Sequence, residues 1–127
     1  MSQVPRPKHF EIDPQQYGDT VLLRLSGEFD LAGEALFDHA LTGLPQTARK
    51  IVVDLSGLTF IDSSGLRALL GAWRRARSDG FDLAVIPGTD QVRNTMELTG
   101  VDRVLPIATD APTGAVAMTR TAGAGAA

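Results

Sequence analysis

The run from Ile51 to Leu66, IVVDLSGLTFIDSSGL, constrains the fold more than any other part of the chain. Ile51 to Leu55 is a nearly unbroken apolar stretch, the pattern of a strand covered on both faces. A short turn follows, and Asp62-Ser63-Ser64-Gly65 then stands where a helix begins. That helix carries Leu66, Leu69, Leu70 and Trp73 at the i, i+3, i+4, i+7 spacing. Arg74, Arg75 and Arg77 suit its negative end, and Gly80 is placed to cap it. Strand, turn and helix in this order hold a serine hydroxyl outward at a helix N-terminus. Backbone N–H groups are unpaired there and the dipole is positive, so the place is expected to tolerate a phosphate.

The segments on either side extend the pattern. His9 to Ile12 alternates weakly and is expected as a first strand, and Asp13 to Asp19 reads as a turn rich in Pro, Gly and Asp. Thr20 to Ser26 reads as a strand with Val21, Leu23 and Leu25 on one face. Gly27 to Asp30 is expected to break it, with Asp30 capping a helix from Leu31 to about Leu41. Leu31, Ala35 and Leu36 are the expected buried stripe of that helix, and Gly43 and Pro45 stop it. Phe81 to Ile86 is another strand. Thr89 or Asp90 caps a third helix with Val92 and Met96 inward and Gly100 at its end, and Arg103 to Ile107 is expected as a short final edge strand.

Strands alternating with helices after residue 27 call for parallel pairing, while the first two segments pair antiparallel. The predicted fold is α/β: one mixed sheet with helices packed against it. In such sheets sites lie beyond the carboxyl ends of the strands, where the second strand would bring Glu28 and Asp30 close to the serine turn. The expected domain spans residues 9–110. A loose segment, 1–8, precedes it, and an Ala/Gly-rich tail, 111–127, expected to be partly disordered, follows.

Composition removes several classes of function. The chain has 127 residues, the length of one domain. Its formal charge of −3 does not suit nucleic acid, which wants a basic surface. With no cysteine, disulfides, thiol catalysis and cysteine-ligated metal are excluded. Two histidines, His9 and His39, at unrelated spacing make no metal ligand set, and no cofactor is expected. No apolar run approaches the roughly 20 residues that cross a bilayer. The first residues lack a signal-peptide core, so cytoplasmic residence is expected.

The turn itself reads two ways. Asp or Ser at an N-cap stabilises a helix by about 1 kcal/mol, and nothing more is required of it. Yet one cap needs one side chain, and here three capping residues stand in a row. Gly65 beside them is expected to leave the backbone open from outside. A nucleophilic serine finds no partners: the G-x-S-x-G elbow is absent, and Arg67 stands where an S-x-x-K pair would place lysine. No enzyme activity is expected.

Val53 to Leu66 resembles the signature of STAS domains, and is most similar to bacterial anti-sigma factor antagonists. Ser26-Gly27-Glu28-Phe29-Asp30 resembles that family's G-E-[LIF]-D element. Val92 to Val101 resembles its third helix and following turn. Order and spacing of the three motifs agree over roughly residues 9 to 108. The resemblance implies a protein that, unmodified, binds an anti-sigma factor with a histidine-kinase-like ATPase fold and serine kinase activity, freeing the sigma factor. It implies that the kinase phosphorylates the second serine, here Ser64, and that a serine phosphatase restores it. Ser63 matches the unmodified first serine, with Asp62 its neighbour and Asp30 lining the same patch. Arg67 and Thr89 are further candidates for the binding surface. A constitutive STAS interaction module in a transport or stress-signalling complex is the alternative.

Overall fold

The computed structural model describes residues 9–108. The expected lead-in 1–8 and the tail 111–127 lie outside the described residues. Four strands, β1 (Glu11–Tyr17), β2 (Thr20–Phe29), β3 (Lys50–Ile61) and β4 (Asp82–Ile86), form one sheet in the order β1-β2-β3-β4. β1 and β2 are antiparallel, and β2 to β3 and β3 to β4 are parallel. Three helices connect or follow them: α1 (Glu34–Thr42), α2 (Ser63–Asp79) and α3 (Asp90–Thr99). The mixed α/β sheet is the one predicted.

Alternation along the strands sorts side chains to one main core. Val21, Leu23 and Leu25 of β2 join Ile51, Val53 and Leu55 of β3, and helix residues Phe37, Leu66, Leu69, Val92 and Met96 pack on them. Leu22 and Val52 point the other way and are also buried. On that second face Arg24 pairs with Asp54 across the strands at 3.6 Å. Asp54 Oδ1 also accepts a hydrogen bond from Ser56 N at 2.9 Å. The pair stands at the edge of a register irregularity between Arg24 and Ser26, and it fixes the strands where the ladder is interrupted.

Five expectations need correction. Asp13 to Tyr17 is strand, and the turn is only Gly18 and Asp19. Pro14 is tolerated because β1 is an edge, where a missing N–H costs no ladder bond. Gly27 does not break β2. It adopts φ +90° and lets the His9 backbone pass so close that a Cβ would collide with it, and the strand runs on to Phe29. β3 likewise continues through Ser56 and Gly57 to Ile61. The final strand is absent among the described residues: Val101–Arg103 is a 3-10 turn, and a single parallel bridge joins Ile107 to Val85.

The fifth concerns α1. Leu31, Ala35 and Leu36 are exposed; Gly33 and Phe37 are buried, and Leu41 and Leu44 pack partly against the core. The inward stripe follows Gly33-Phe37-Leu41-Leu44, two residues on from Leu31 and Ala35 and one on from Leu36. Aromatic packing sets that phase. Phe29 stacks on Phe10 at 4.4 Å between ring centroids and meets Phe37 edge-on at 5.3 Å. This trio pins the end of β2 to α1. No helix among the described residues is long and apolar enough to cross a membrane.

Candidate functional site

Two helical starts sit side by side at the carboxyl end of the central strand pair. Phe29 of β2 and Ile61 of β3 are register partners, and the next residue of each strand is an aspartate. Parallel neighbours lie about 4.8 Å apart, so Asp30 and Asp62 leave the sheet together. Asp62 N donates to Phe29 O at 3.3 Å, which ties one exit to the other.

Each aspartate then caps its own helix from an extended backbone. Asp30 Oδ1 accepts from Ala32 N at 3.0 Å and starts the 3-10 turn Leu31–Gly33 that leads into α1. Asp62 Oδ1 accepts from Ser64 N at 2.9 Å and Gly65 N at 3.1 Å, and starts α2. The expectation that this helix end offers free N–H groups to an anion is therefore corrected. Two of those donors are already held by a carboxylate, and Leu66 N is bonded to Asp62 O at 3.0 Å. A phosphate here would meet an end whose partial positive charge is largely answered.

Ser63 is exposed and Ser64 partly so. Neither hydroxyl has a hydrogen-bond partner among the described residues. The Ser64 oxygen is thus presented without being used by the fold. Arg67 is exposed one helical turn beyond Ser64, on the same face, and forms no ion pair among the described residues.

Gly65 does not face outward as expected. It is buried, and a Cβ there would lie 2.6 Å from Phe29 O, 2.7 Å from Ile61 Cγ1 and 3.1 Å from Phe29 Cγ. Its missing side chain lets the first turn of α2 sit directly on the ends of β2 and β3. Gly65 thereby sets the position of Ser64.

Thr89 is exposed, and its hydroxyl donates to Leu58 O at 3.4 Å. Leu58 lies four residues before Asp62, roughly 13 Å back along an extended strand. The structure therefore brings Asp30, Asp62, Ser63, Ser64 and Arg67 together and leaves Thr89 apart.

One exposed side chain escaped the sequence reading. Phe60 is 39% exposed and pairs in register with Glu28. Alternation puts Phe60 on the same side of β3 as Asp62, and Glu28 on the same side of β2 as Asp30. The signal was available: Ile61 must face inward as the partner of buried Phe29, so Phe60 must face out. The patch is an aromatic ring beside three carboxylates and a free hydroxyl. It can dock a protein surface, and it can accept a covalent charge. No group of three or more His, Asp or Glu among the described residues could hold a metal ion.

Residues 12–107 match a family model described as Mlab, STAS domain. The anti-sigma F factor antagonist of Paenibacillus polymyxa is 27% identical over 103 residues, covering 78% of this chain and 86% of that protein. The solved structure of the anti-sigma factor antagonist SpoIIAA in its unphosphorylated form superposes with a TM-score of 0.63 at 26% identity, over 80% of this chain and 90% of that one. An anti-sigma factor antagonist from Mycobacterium paratuberculosis has a TM-score of 0.69 at 20% identity, over 84% of this chain and 92% of that one, a likeness of fold alone.

Proposed function

The chain belongs to the STAS domain family, and from that premise we propose that it is an anti-sigma factor antagonist switched by phosphorylation of Ser64. Unmodified, it binds an anti-sigma factor of histidine-kinase-like fold and so releases a sigma factor. The same partner phosphorylates Ser64, the complex separates, and a serine phosphatase resets the protein. It acts as a binding protein in the cytoplasm, without catalysis of its own.

One observation carries the reading: the Ser64 hydroxyl is partly exposed and unused by the fold, next to the carboxylate of Asp62 and beside that of Asp30. Phosphorylation adds about −1.5 to −2 charges at pH 7. Asp62 already satisfies the helix end, so the new charge gains little from backbone donors. Under a docked partner it would be a desolvated anion among carboxylates, which costs several kcal/mol when unpaired. A fall in the bound share from 99% to 1% needs about 5.5 kcal/mol, or a 10⁴-fold change. The mechanism is local blockade of the interface, with no refolding of the domain. Similarity to the Paenibacillus polymyxa antagonist over most of both chains supports the same role.

The test is incubation of the purified chain with the cognate anti-sigma factor and ATP, read by mass spectrometry. Phosphate should appear on Ser64 and be absent from Ser64→Ala. Phosphate uptake by Ser64→Ala at the wild-type rate overturns the assignment. Ser64→Asp should bind the partner more weakly, and undiminished affinity overturns the charge mechanism.

A further inference from the structure

The residues that the sequence pattern marks as the buried stripe of α1 are the ones the fold leaves outside. Leu31 is 68% exposed and Leu36 45% exposed. Ala32, Ala35 and His39 share that outward face and are exposed as well. A surface helix ordinarily turns charged residues to water, but the middle of this face, Ala32-Ala35-Leu36-His39, carries no carboxylate, lysine or arginine. Glu34 and Asp38 stand on its α2 side, one turn from Leu31 and Ala35, and Asp38 there accepts a 2.7 Å charge-assisted bond from Arg75 of α2. The apolar face starts at Leu31, the residue immediately after Asp30, so it is continuous with the serine turn.

A stable protein interface buries about 800 Å² and 20–30 residues on each partner. Asp30, Phe60 and Asp62 to Ser64 are too few to supply that. Whatever covers Ser64 must spread onto a neighbouring face. The exposed side of α2 presents Arg67, Arg74 and Arg75, which can take part in such an interface but give it no apolar centre. The outer face of α1 supplies an apolar centre, Leu31-Ala32-Ala35-Leu36, with charge only at its edge.

Resting on the reading of the serine turn given above, we propose that the outward face of α1, Leu31-Ala32-Ala35-Leu36, is the apolar core of the surface that binds the anti-sigma factor. The occupant is a protein with an apolar groove that meets Glu28, Asp30 and Asp62 with neutral hydrogen-bond donors rather than arginine or lysine, so that a phosphate on Ser64 finds no counter-charge there. The carboxylates fix its orientation, and the leucines provide most of its hold.

The experiment measures affinity of the cognate anti-sigma factor by calorimetry for five full-length proteins: wild type, Leu31→Ser/Leu36→Ser, Ala35→Arg, Ser64→Asp, and Leu98→Ser as a control on α3, where Leu98 is 88% exposed. The double variant and Ala35→Arg should each weaken binding about tenfold or more with an unchanged melting temperature, and Leu98→Ser should bind like wild type. Ala35→Arg keeps helix propensity, so it serves if the double variant fails to fold. Loss of binding by Ser64→Asp together with affinities within about twofold of wild type for both α1 variants overturns this inference and leaves the serine-turn reading standing. Retained binding by Ser64→Asp is a failure of that reading instead. A wild-type dimer in light scattering that the double variant converts to monomer, with partner affinity unchanged, also overturns it, because the face then holds a second copy of the chain.

Discussion

Gly65 and Gly71 lie in the same helix, and the same substitution should have opposite effects at the two positions. At Gly65 an added Cβ meets the Phe29 carbonyl oxygen at 2.6 Å, where ordinary contact begins near 3.4 Å. The first turn of α2 would have to back away from the sheet by about 0.8 Å, and the obstacle is backbone, which does not rotate aside. Overpacking of this kind costs about 1–3 kcal/mol, and the better helix propensity of alanine returns up to about 1. Gly65→Ala should therefore destabilise by about 1–2 kcal/mol. At Gly71 nothing lies within 4 Å of the added carbon, so Gly71→Ala keeps the propensity gain and should stabilise by about 0.5–1 kcal/mol. In urea, with a slope of about 1–1.5 kcal/mol/M for a domain of this size, the midpoint should fall by about 1 M for the first and rise by about 0.5 M for the second. Circular dichroism of both variants against wild type, with the slope checked for constancy, is the assay. A Gly65→Ala protein as stable as Gly71→Ala would show that α2 is not seated on Phe29 as described.

Three more outcomes follow from named contacts. Asp62→Ala removes the acceptor for two N–H groups and should cost about 1 kcal/mol in urea denaturation, while Asp62→Asn, which keeps an amide oxygen, should cost clearly less; equal losses would mean the cap is not the source. In the Ser64-phosphorylated protein, Arg67→Gln should raise the second phosphate pKa by a few tenths of a unit, since a neighbouring cation favours the dianion, and an unchanged ³¹P NMR titration would place Arg67 out of reach. A double-mutant cycle on Arg24→Ala and Asp54→Ala should give a coupling of about 0.5–1 kcal/mol that shrinks in 1 M salt, and zero coupling would deny the pair any role in holding β2 to β3.

The parts of the fold that could be read from the chain are those where one local rule acts alone. α2 announces itself by its leucine spacing, a capping aspartate and Gly80, which takes the left-handed conformation at φ +85°. The mixed sheet follows from the order of elements. The misreadings arise where tertiary context overrides a local signal. Pro14, Gln15 and Gln16 look like a turn but lie on an edge strand, whose exposed side accepts polar residues. Gly27 and Gly57 look like strand ends, yet each lets another backbone approach closely within a continuing strand. The phase of α1 depends on Phe37 meeting Phe29, itself stacked on Phe10 of the segment before β1, a packing that helical periodicity alone does not register. At the site, the serines and both aspartates were visible as a motif. That Gly65 faces inward, and that Asp62 occupies the helix donors, required the packing of α2 on the ends of two strands.

Each strand of this sheet lies beside its neighbour in the chain, from β1 through β4. No strand has to be threaded between two others already in place, so the sheet can grow outward in a single direction during synthesis. Asp30 and Ser64 belong to its middle, and the strands and helix that carry them all lie before Gly80 in the chain. β4 then adds to an outer edge, and α3 packs back on the core of β3 through Val92 and Met96. Substitutions on the outer side of β4 therefore act on an edge of the sheet, while the paired exits at Asp30 and Asp62 stay where β2 and β3 put them.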